Sequence, residues 1–276
     1  MKINFITNNY LLIWNLLYGP SISMKMHMFK QKLWLIYKKE YKKIENDKDE
    51  ILSDYKNFIP DDNTLYDLIE DSSVFPVLIK DVEHHRIKLM KEWDLIKRKV
   101  NKELSNILRI ENDTYQVIVL HPSMESELSS FNAKSIGWGK KADLEDSFVT
   151  ILKMITLILK EKVHYQDNTD EDIKNAILEL AVENEVYTRM RESNYFGKNQ
   201  ELLSIKKDLY PYFLMYLGIN LEDTTPYMMR DNMAFDIEKY TNEIQLRNLD
   251  IFEFIDFVVR NKKLLLKNKK ELVEVL

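Results

Sequence analysis

Apolar residues recur at two different periods along this chain. Short alternating or β-branched runs predict strands at residues 2–7 (KINFIT), 115–120 (YQVIVL) and 134–138 (KSIGW). Elsewhere the spacing is helical. Asn8 or Asn9 caps a helix that runs through Leu17 and is stopped by Gly19-Pro20. Ser21 or Ser23 caps a long helix to about Ile44, with Met24, Met28, Leu35 and Ile36 as its packing surface. A short helix covers 64–70, and Pro76 punctuates the chain before a helix at 82–108. In that helix Leu89, Trp93, Ile96, Val100, Leu104 and Ile107 form one stripe. Residues 148–164 open on FVTILKMITLIL, apolar on nearly all sides, as a buried helix is. A helix over 171–192 follows. After it come helices at 209–217, with Pro211 in the first turn, 234–246, 251–259 and 262–275.

These elements predict an α+β fold, mainly α, with a small sheet and many helices. No internal repeat and no linker divides the chain. The expectation is a single domain over 1–276, with helical parts at 1–110 and 196–276 around a central part at 111–195.

Composition narrows the function classes. The 276 residues are 45% hydrophobic, enough for a large core. Five Gly and six Pro are too few for an all-β fold. The net charge of −5 predicts no nucleic-acid partner. The absence of cysteine removes thiolate metal sites, disulfides and a cysteine nucleophile, and fits a cytoplasmic protein. The apolar stretch 10–17 is interrupted by Asn15 and lacks a small-x-small cleavage site, which reads against a secretory leader. No apolar run approaches the ~20 residues of a membrane span.

Some candidate sites read as structure. Met24, Met26 and Met28 around His27 read as helix packing and not as a copper site. His84 and His85 point about 100° apart on a helix and read as a solvated helix start. The lysines around Leu264-Leu265-Leu266 read as flanks of a packed cluster, with contact to a membrane or an acidic partner as the alternative.

One constellation carries chemistry. Lys160-Glu161-Lys162-Val163-His164 ends the apolar helix, and Glu183 follows after residues 165–182. Groups at i and i+4 share one helix face. Two imidazoles so placed reach one tetrahedral ion, and a Glu after the first faces the metal-bound water. With Glu161, His164 and Glu183 in those positions, the stretch resembles the core of the zincins, zinc metallopeptidases of gluzincin type with a His-Glu-x-x-His motif and a later Glu. The resemblance implies Glu161 as general base in an active site, His164 and Glu183 as metal ligands, and Tyr187 beside them. It also implies strands ahead of the motif helix, in the order found at 115–138.

Lys160 departs from the pattern, standing where the first ligand His belongs. A lysine ligates only when neutral, which at pH 7 costs roughly 4–5 kcal/mol. The expectation is therefore a vestigial site, without cofactor unless a substitute ligand such as His121 retains zinc. The ammonium of Lys160 is expected to pair with Glu183 or Glu161 in the metal's place. The function expected is a degenerate zincin-like homologue that binds a peptide or protein partner in the old cleft. An active zinc metallopeptidase and a helical scaffold without enzymatic ancestry are the alternatives.

Overall fold

The computed structural model describes residues 1–21, 23–110, 113–140, 147–191, 200–219 and 246–266. All but the last residue of the predicted helix at 234–246, and most of that at 262–275, lie outside these. Contacts divide the chain into two compact units. The first comprises Met1–Arg98 and Asn112–Lys162, and the second Lys99–Glu111 and Val163–Leu276.

The first unit opens with β1 (Lys2–Ile6) and α1 (Asn9–Tyr18). Asn8 caps α1 by accepting the Leu11 N–H. Next come α2 (Met24–Ile36), α3 (Lys38–Lys43), α4 (Asp47–Asp54), α5 (Thr64–Glu70) and α6 (Phe75–Leu108). The long helix expected to reach Ile44 is thus two helices. Tyr37 leaves helical geometry (φ −113°, ψ 36°), and the new direction lets α3 bury Tyr41 and, at its end, Ile44. No Gly or Pro marks that break. Pro76 does not precede α6 but sits in its first turn, where its missing N–H costs nothing.

Three more strands follow: β2 (Thr114–Val119), β3 (Glu127–Leu128) and β4 (Ser135–Trp138). The four form one sheet in the order β1-β2-β4-β3. β2 runs parallel to both β1 and β4, and β3 closes the edge antiparallel to β4. Central β2 and β4 are buried from Val117 through Val119 and from Ser135 through Trp138, as parallel strands covered by helices are. A Cβ at Gly139 would stand 3.0 Å from the His121 carbonyl. Glycine at this position thus lets the backbone pass close to the strand end at His121. Helix α7 (Ser147–Lys160) completes the unit, with ten of its residues buried.

The second unit takes the end of α6 and α8 (Asn168–Glu179), a π-helical segment (Leu180–Val186) and α9 (Tyr187–Arg191). It continues with α10 (Gln200–Leu217), α11 (Ile251–Arg260) and α12 (Lys262–Leu265). The single helix expected over 171–192 is thus interrupted by seven π-helical residues. Pro211 lies inside α10 and not in its first turn, because α10 begins at Gln200. The buried side chains of Leu209, Phe213 and Tyr216 hold that turn in place despite the lost backbone bond. Arg109 stitches the unit together: it donates to the carbonyls of Leu249 (2.9 Å) and Tyr216 (2.8 Å) and lies over the Tyr216 ring. A capping box on Asp250 and Glu253 starts α11. Among the described residues no helix is long and apolar enough to cross a membrane.

Candidate functional site

The motif residues divide between the units. Lys160 and Glu161 close the first, and His164 and Glu183 belong to the second. Helix α7 ends at Lys160, not at His164 as expected. The Lys162 N–H bonds to the Leu159 carbonyl (3.2 Å), and the Glu161 carbonyl accepts the Asn132 N–H (3.1 Å). The Lys162 ammonium lies 3.6 Å from Asp113 and 5.0 Å over the Tyr115 ring. These ties turn the backbone toward the strand loops in place of another helical turn. Val163 and His164 have no regular structure. The i, i+4 relation that puts two ligands on one helix face therefore does not extend to His164.

In the second unit the acid that faces His164 is Glu171, 3.0 Å from its Nδ1, while the imidazole is largely exposed. Glu171 also accepts the Tyr165 N–H (2.5 Å) and the Lys174 ammonium (2.6 Å). Lys174 is itself buried and donates to the Val163 carbonyl (2.7 Å). Burial works against the Glu171 carboxylate, yet Lys174, the Tyr165 N–H and His164 together hold it below the ordinary carboxylate range. Asp167 caps α8 through the Thr169 N–H (2.7 Å), which fixes Glu171 in the first turn beside this loop.

Glu183 is buried and lies in the π-helical segment. Tyr187 is half-buried at the start of α9. Two residues after it, Arg189 pairs with Glu185 (2.7 Å) and Glu103 (3.2 Å). A second buried acid of this unit was missed. Glu179 pairs at 2.6 Å with Lys206, whose side chain is wholly enclosed. Lys206 stands at helical spacing from Leu209 and Phe213, a signal that sequence reading could have used.

His121, the candidate substitute ligand, lies in the first unit. Its Nδ1 accepts the Ser123 N–H (3.2 Å), capping a turn at Pro122–Met124, and its Nε2 stands 3.6 Å from Asp81. His85, read as part of a solvated helix start, is buried in mid-helix because α6 begins seven residues earlier than expected. Its pKa is depressed to about 4, first by burial and then by the nearby Lys88 and His121. No group of three or more His, Asp or Glu among the described residues is placed to hold a metal ion.

The first unit also has an open recess on its surface. This cavity of about 500 Å³ is lined by Tyr18, His27, Lys30, Gln31, Trp34 and Tyr41, among others. Gly19, on its rim, closes α1: its N–H bonds to the Asn15 carbonyl (2.8 Å), and a Cβ there would stand 2.5 Å from that oxygen. Lys30 donates to the Gly19 carbonyl (2.5 Å), and burial lowers its pKa. The Tyr18 hydroxyl donates to the Tyr41 carbonyl. The Tyr41 hydroxyl is buried with no hydrogen-bond partner among the described residues, and burial pushes its pKa up to about 12.

The helix on one side of this cavity corrects another expectation. Met24, Met28, Leu35 and Ile36, expected to pack, are 73%, 53%, 72% and 71% exposed. Only Leu33 of α2 is buried. No family model matches this chain, nor does any curated protein or solved structure.

Proposed function

We propose that this chain is a binding protein whose contact surface is α2, without metallopeptidase chemistry at residues 160–183. The observation that carries the reading is the outward face of α2. Large apolar side chains are held in water on a formed helix, beside a cavity with aromatic and cationic walls. Contiguous apolar surface on a folded protein marks an interaction site. The end of α7 at Lys160 supports the second half, since it takes His164 out of the frame a zincin site needs. A photo-reactive side chain at Met28 is expected to form adducts in cells, and one at exposed Lys91 on α6 is not. Equal labelling from the two positions sinks the contact surface.

The zincin-derived reading, with a partner in a former cleft, keeps one support: two strands, β2 and β4, precede the buried helix α7. Zinc content separates the readings. After zinc loading and dialysis, elemental analysis is expected to find well under one zinc per chain, both in the natural protein and in Lys160→His. A histidine at 160 would still lie on a helix that His164 does not share. Occupancy rising toward one in Lys160→His would favour the degenerate zincin. Stoichiometric zinc in the natural protein would favour an active one.

A further inference from the structure

The charge pattern of α2 selects among partners. From Ser21 to Lys39 the chain has no Asp or Glu, while Lys25, Lys30, Lys32, Lys38 and Lys39 fall in that stretch, in a protein of net charge −5. At ~100° per residue, Met24, Leu35 and Met28 fall within about 40° of one another on the helix. Lys25 and Lys32 lie together along one side of that ridge. Leu33, the one buried residue, lies on the opposite side. The helix therefore lies flat on the first unit with its apolar ridge pointing away. Ile36 and Trp34 extend the apolar surface at the C-terminal end, where Lys38 stands 4.9 Å over the Trp34 ring.

We infer that α2 seats in the headgroup region of an anionic phospholipid membrane; this rests on the contact surface proposed above. Each part of the helix suits that surface. The ridge enters the boundary between headgroups and acyl chains, as an in-plane amphipathic helix does. The stems of Lys25 and Lys32 cover apolar surface beside the ridge while their ammonium groups reach lipid phosphates, whereas Lys30 is turned back to the Gly19 carbonyl. Trp34 is the residue type that favours the interface. No carboxylate on the helix opposes a negative surface. A partner helix fits less well. Met24, Met28, Gln31 and Leu35 follow a heptad seam, but α2 holds fewer than the three or four heptads that sustain one. Ile36 and Trp34, about 100° to either side of the ridge, would also stay outside such a seam.

The test is flotation of the full chain with vesicles of phosphatidylcholine alone and of equal parts phosphatidylcholine and phosphatidylglycerol. The natural protein is expected to float with the mixed vesicles, to stay down with phosphatidylcholine, and to be released by high salt. Met28→Glu/Leu35→Glu is expected to lose binding. Lys25→Gln/Lys32→Gln, which spares the ridge, is expected to weaken it about 30-fold, at roughly fivefold per lysine. Lys91→Glu on α6 is expected to bind as the natural protein does. Circular dichroism checks that each variant is folded. A natural protein that stays down with mixed vesicles overturns the lipid assignment, and so does undiminished flotation of the Met28→Glu/Leu35→Glu variant. If the natural protein stays down while adducts from position 28 persist, the contact surface stands with a protein as its occupant. If both fail, both readings fall.

Discussion

Lys206→Met is expected to destabilise the protein by about 3–5 kcal/mol, a large part of the roughly 5–15 kcal/mol a folded protein has. The methionine keeps most of the lysine's length, so the loss is electrostatic and not a packing defect. In the natural chain the Lys206 side chain is wholly enclosed, and its Nζ stands 2.6 Å from the Glu179 carboxylate, itself 7% exposed. Taking two ions out of water is costly, and their mutual attraction offsets that cost only while both are present. The variant leaves a buried carboxylate without that ammonium. Such a group takes up a proton more readily, so the deficit should shrink as pH falls. The companion change Glu179→Leu in the Lys206→Met background should recover most of the loss, because an apolar pair of similar volume replaces a buried ion pair at little cost. Urea denaturation of the three variants measures both effects. A loss below about 1 kcal/mol for Lys206→Met, the range of an exposed pair, would show that water reaches this site.

The second large effect is on acid stability. His85 titrates near 4 in the folded protein against an ordinary 6.5. Burial disfavours its charged form first, and the cations Lys88 and, when protonated, His121 add to this. A hydrogen bond to the Lys140 backbone opposes them, while Nε2 is buried with no partner among the described residues. Between pH 6.5 and 4 the unfolded chain binds a proton that the folded chain refuses. Stability is therefore unaffected above the unfolded value and falls as pH drops through this window, by about 3 kcal/mol in all. His85→Leu removes the titrating group. Its free energy of unfolding should drop less between pH 7 and pH 4 than the natural protein's, by about that amount. Parallel losses in the two proteins would mean that the His85 ring is solvated in the folded state.

Periodicity alone placed the strands β1, β2 and β4 within a residue or so, and likewise α1, α5 and α11. It did so because each carries the full signal of its element locally: alternation or a β-branched run, a cap, a stop. The mainly helical α+β class follows from the same signals summed. What the pattern could not decide was how each apolar face would be covered. In α2 the spacing of Met24, Met28 and Leu35 correctly marked one face, but among the described residues that face is exposed, so an expected core surface became an outward one. His85 went the other way, since α6 starts early enough to carry it into the interior.

The candidate metal site turned on a boundary that local sequence does not encode. Nothing in Lys160-Glu161-Lys162-Val163-His164 forbids another helical turn. The helix stops because the Asn132 N–H takes the Glu161 carbonyl and because Asp113 and Tyr115 hold the Lys162 ammonium. His164 then meets Glu171, fixed in the first turn of α8 by the Asp167 cap. Sequence determined which residues carry charge and which repeat at helical spacing. Tertiary structure alone decided where α7 ends, that Lys206 is the partner of Glu179, and that α2 keeps an apolar face in water. Those outcomes depend on contacts between residues far apart in the chain, and a local period carries no record of them.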